Sequence, residues 1–64
     1  MSRKDYVVLA DIVGKALAIG QQHGCRTEVY EAVYVPISDH LKGDNPSFDR
    51  LRFAHAVAVA EGEL

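Results

Sequence analysis

Between Ser2 and His23 the apolar residues return every three or four positions. Leu9, Val13, Ala16, Leu17 and Gly20 share one stripe, with Tyr6 and Ala10 on one side and Val8, Ile12 and Ile19 on the other. That period predicts an amphipathic helix over residues 3–23. Lys4, Asp11, Lys15 and Gln22 occupy its polar side. At 100° per residue the apolar arc covers roughly 200° of the helical wheel, more than one packing neighbour needs. Ser2 fits the N-cap, with Asp5 three residues on as a weak capping-box partner, and Gly24 suits the left-handed residue that ends a helix.

The second element carries two patterns at once. Residues 28–42 read as a helix with Val29, Val33, Pro36, Ile37 and His40 on its inner face. Tyr30, Tyr34 and Leu41 lie beside them, and Glu28, Glu31, Asp39 and Lys42 lie opposite. Residues 28–35 are also β-branched and aromatic enough for a strand. Helix is the better reading, because the stripe continues through Leu41 and a lone strand would lack a pairing partner. Pro36 removes a backbone donor and crowds the preceding turn, so a kink or a fresh helix start is expected there. Gly43 reads as the end of this helix, and Asn45-Pro46 as a turn.

A third helix is predicted over residues 50–61. Asp49 is its N-cap, Phe48 and Phe53 hold the hydrophobic-staple positions, and Phe53, Ala56, Val57 and Ala60 form its inner stripe. Beyond Ala60, fraying is expected from Glu61 to Leu64. The pattern therefore defines one all-α domain spanning residues 1–64: three helices with a kinked or broken middle helix at Pro36. The alternative is an α+β chain with a strand at 28–35.

With 64 residues, the core is small enough that a partner subunit would add substantially to stability. The single Cys25 cannot form an internal disulfide, which fits a reducing, cytoplasmic setting. Arg3 and Lys4 before an apolar stretch loosely imitate a signal peptide, but Asp11, Gly14 and Lys15 interrupt the apolar run and also exclude a membrane span. The polar face of the first helix mixes charge signs, unlike a helix that lies on a membrane. A net charge of -2 makes nucleic acid an unfavoured partner.

Candidate chemistry is sparse. His23 and Cys25 form one short-spaced pair, with His40 and His55 far along the chain, whereas structural zinc sites use two such pairs. His23 reads as a polar helix end near the C-terminal dipole, His40 as a core-edge residue and His55 as a solvated one. No nucleophile elbow, phosphate loop or HExxH stands in the sequence. The expectation is therefore a non-enzyme with no cofactor, no metal and no small-molecule ligand. Arg50 and Arg52 could reach phosphates if the third helix served a small DNA-binding regulator. The segment between the helices is longer than a helix-turn-helix turn, however, and Glu28, Glu31, Asp39 and Asp44 oppose it.

The opening Ser2-Arg3-Lys4-Asp5-Tyr6, followed by an aliphatic helix, and the run Asp44-Asn45-Pro46-Ser47-Phe48-Asp49-Arg50-Leu51-Arg52-Phe53 carry a resemblance. They resemble small uncharacterised proteins of actinobacterial phages and prophages. The middle, Gly20 to Pro36, departs from that group. The resemblance implies a small phage protein in the host cytoplasm and brings no catalytic residues. Together with the wide apolar arc it makes a protein-interaction module the first expectation, self-associating as a homo-oligomer or binding a host protein. Val8, Ile12 and Ile19 are its candidate interface.

Overall fold

The computed structural model describes residues 3–63, which are all-α. Helix α1 spans Arg3–Gln22. Helix α2 runs through residues 26–44 as one continuous course: an α segment Arg26–Val29, a π turn Tyr30–Tyr34 and an α segment Val35–Asp44. Helix α3 spans Arg50–Gly62. The strand alternative for residues 28–35 is overturned, because all eight are helical. Nothing among the described residues could pair with a strand there.

The end of α1 is set locally. Gly24 has φ 73°, the Cys25 amide donates to the Gly20 carbonyl at 2.8 Å and the Gly24 amide donates to that of Gln21 at 3.2 Å. These are the two bonds of a Schellman motif, which satisfies carbonyls the helix would otherwise leave open. Gly20 has a second role, since a Cβ there would stand 2.8 Å from Val29 Cγ2. Its small size lets the start of α2 fold back against α1. The Ser2 cap lies outside the described residues.

The π turn changes which residues of α2 face the core. It adds one residue to a turn, so the inner stripe advances by one position after it. Val29 and Val33 are half-buried as expected, but Pro36 and His40 are exposed, and Ser38 and Leu41 are buried in their place. The expected inner face is thus corrected over its second half. Pro36 is the second residue of the segment after the π turn, and the flanking Tyr34 and Val35 keep right-handed helical angles. The widened turn falls where a proline crowds the preceding carbonyls.

Gly43 does not end α2. Its φ is not positive, and the helix continues to Asp44, with Asn45 as an extended C-cap. The loop is then fixed by side chains: the Asn45 carboxamide oxygen accepts from the Ser47 amide at 3.1 Å, and the Lys42 ammonium donates to the Pro46 carbonyl at 2.7 Å. Asp49 caps α3 as predicted, accepting from the amides of Leu51 at 3.0 Å and Arg52 at 3.1 Å. The Phe48 and Phe53 rings meet edge to face at 5.4 Å, completing the staple.

The core is built from Ala10, Val13 and Leu17 of α1, Leu41 of α2, and Phe48, Phe53 and Val57 at and within α3. The three tyrosines and two phenylalanines of the chain form one line of ring contacts: Tyr6 to Phe48, Phe48 to Phe53, Phe53 to Tyr34, and Tyr34 to Tyr30. Burial pushes the Tyr34 phenol above its ordinary value, with Tyr30 adding to the effect and a hydrogen bond with Ser38 opposing it. Helices α1 and α3 pack most closely of all. Gly14 makes this possible: a Cβ there would fall 2.5 Å from both Ala60 Cβ and the Val57 carbonyl oxygen.

Candidate functional site: the outer face of α1

On a helical wheel Val8, Ile12 and Ile19 fall within about 40° of one another, and their centre lies roughly 150° from that of Ala10, Val13 and Leu17. They project away from the core. Their exposures are 51%, 56% and 51%, so each leaves about half of an aliphatic side chain in water. Half-buried Leu9 and Ala16 continue the apolar surface on one flank. On the other, the Lys15 ammonium donates to both Asp11 carboxylate oxygens at 2.8 Å. This hydrogen bond raises the lysine above its ordinary pKa, while the Asp11 charge also favours the ammonium and partial burial opposes it.

Sequence reasoning missed a second apolar surface. Leu51 is 83% exposed and Val59 51% exposed, both on the side of α3 away from α1, with exposed His55 and Ala58 near them. The signal was available: apolar residues of α3 are spread around its whole circumference, and such a helix is ordinarily enclosed on all sides.

The two arginines do not form a patch. Arg50 is bound to Asp39 at 3.0 Å. Arg52 carries no ion pair among the described residues and stands at the edge of an open cleft of about 490 Å³ walled by Tyr6, Phe48 and Phe53. Two further polar groups of that cleft are already engaged with each other, since the Asn45 amide donates to the Tyr6 hydroxyl at 3.3 Å.

Nor do the histidines and cysteine converge. Among the described residues no three His, Cys, Asp or Glu side chains are placed to hold a metal ion. His23, His40 and His55 are all exposed, which corrects the core-edge position expected for His40, and Cys25 is half-buried. Glu61 also differs from expectation. Instead of fraying, it accepts two hydrogen bonds from the Arg26 guanidinium, at 2.6 and 2.9 Å, tying the end of α3 to the start of α2. Among the described residues no helix is long and apolar enough to cross a membrane.

Comparison of the chain with protein-family models, with curated proteins and with solved structures finds no match.

Proposed function

We propose that this chain is a small non-enzymatic protein-interaction module that works in the cytoplasm, of the phage type its two ends resemble, and that it acts through the outer face of α1. One observation carries the reading: Val8, Ile12 and Ile19 are each about half exposed on the side of the helix turned from the core. Leaving three aliphatic side chains in water forgoes roughly 1 kcal/mol apiece of burial energy. In so small a fold that is a large fraction of net stability, and a protein surface laid over them would recover it. The alternative, a DNA-binding regulator using α3, has less support, because Arg50 is held by Asp39 and the exposed side of α3 carries Leu51 and Val59 beside Arg52.

The test is photo-cross-linking in cells. A benzophenone amino acid at position 12 is expected to give discrete protein adducts, whereas the same probe at exposed position 28 gives none. Equal labelling from both positions, or none from position 12, would remove the reading.

A further inference from the structure

We propose that the outer face of α1 is covered by a second copy of this chain, laid antiparallel so that Val8 of each copy packs on Ile19 of the other and Ile12 on Lys15. This rests on the face being an interface and adds its occupant and orientation.

The spacing supplies the first argument. Asp5, Val8, Ile12, Lys15, Ile19 and Gln22 follow one another at alternating intervals of three and four, the spacing of a two-helix coiled-coil seam, with Val8, Ile12 and Ile19 as its apolar positions. In an antiparallel pair of such seams the layers match Val8 with Ile19, Ile12 with Lys15, and Asp5 with Gln22. Helix α1, at 20 residues, is about 30 Å long. The seam therefore runs along most of the 34 Å long axis of the molecule.

Charge supplies the second argument and fixes the direction. Lys15 lies in the seam itself and is bound to Asp11 beside it. A parallel pair would set Lys15 against Lys15 and Asp11 near Asp11, placing like charges in an apolar contact. In the antiparallel pair each Lys15 stem covers Ile12 of the other copy, and its ammonium comes within reach of that copy's Asp11 as well as its own. The charges are self-complementary under a two-fold axis only in this direction.

Such an arrangement is isologous and closes at two copies, whereas joining the α1 face to the outer face of α3 would be heterologous and leave open ends. The exposed apolar residues of the α3 face are also fewer and more widely separated, since Leu51 and Val59 stand two turns apart with exposed His55 between them.

Sedimentation equilibrium of the full chain from about 5 to 500 µM is expected to show a monomer–dimer equilibrium, as suits a contact at the small end of stable interfaces. Ile12→Glu and Lys15→Glu each weaken association at least tenfold, adding Asp11→Lys to the latter restores it, and Leu51→Glu leaves it unchanged. In a Cys25→Ser background, Val8→Cys and Ile19→Cys chains form a disulfide dimer when mixed and none separately. Cross-linking of either chain alone, a monomer throughout, or loss of the dimer with Leu51→Glu but not Ile12→Glu overturns the proposal. A monomer whose position 12 labels a different protein in cells overturns the dimer while leaving the interface intact.

Discussion

Gly14 and Gly43 make a matched pair, since both are helical glycines and only one has a neighbour. A methyl at position 14 would meet Ala60 Cβ and the Val57 carbonyl oxygen at 2.5 Å. The carbonyl belongs to the backbone of α3, so relief requires moving the whole helix. Overpacking of this kind costs about 1–3 kcal/mol, against which alanine returns about 1 kcal/mol of helix propensity. Gly14→Ala should therefore lose up to about 2 kcal/mol net. A methyl at Gly43 meets nothing within 4 Å, so Gly43→Ala should gain up to about 1 kcal/mol. Urea unfolding of the two variants checks both, and a stable Gly14→Ala would mean that α1 and α3 are not so closely apposed. The difference also explains what could be read at this scale. Asp49, Gly24 and the Phe48–Phe53 staple were legible because each works within its own few residues. Gly14 was not, because its reason is Ala60, far along the chain. Gly43 was misread because Asn45, ahead of Pro46, ends the helix instead.

At the scale of elements, the stripe of α3 and the Val13, Leu17 and Gly20 part of that of α1 were legible because an unbroken helix keeps its period. Ala10 takes the core place expected of Leu9 and Ala16. The second half of α2 was not legible. A fixed step of 100° carries the inner face to Pro36 and His40, and only the extra residue of the π turn moves it to Ser38 and Leu41. The pairing of Arg26 with Glu61 was equally hidden, since it requires knowing that the start of α2 lies beside the end of α3. That pair makes a pH prediction. The hydrogen bonds from Arg26 hold the Glu61 carboxyl below its ordinary value of 4.5, with partial burial opposing them and the arginine's charge adding to them. Because the folded-state value is depressed, the stabilisation is fully present above that ordinary value and is lost as pH falls through the folded one. Solvent screens the exposed arginine, so Glu61→Gln should cost no more than about 1 kcal/mol at neutral pH. The gap from the unsubstituted chain should shrink in acid, as pH falls below 4.5 and through the lower folded-state value. Thermal unfolding at neutral pH and in acid measures it, and an equal gap in both would show that the ion pair contributes nothing.

For the whole molecule, the balance between core and surface decides the behaviour. The core is small, with Leu17, Leu41, Phe48 and Phe53 as its largest buried side chains, while Val8, Ile12 and Ile19 remain half in water. A fold so constituted gains from any equilibrium that covers its surface. If the covering surface is a second copy, folding and association are linked, and stability must depend on concentration. For a dissociation constant on the order of 50 µM, raising the chain from about 10 to about 500 µM adds roughly 1 kcal/mol to the folded state. In a domain of this size that raises the melting midpoint by roughly 4–8 °C. Ile12→Glu should abolish the concentration dependence and leave a midpoint close to that of the dilute unsubstituted chain, because its exposed side chain contributes little to the core. Differential scanning calorimetry across the concentration range decides the matter. A midpoint that does not move with concentration would separate the stability of the fold from any covering of α1, and the core alone would then have to account for it.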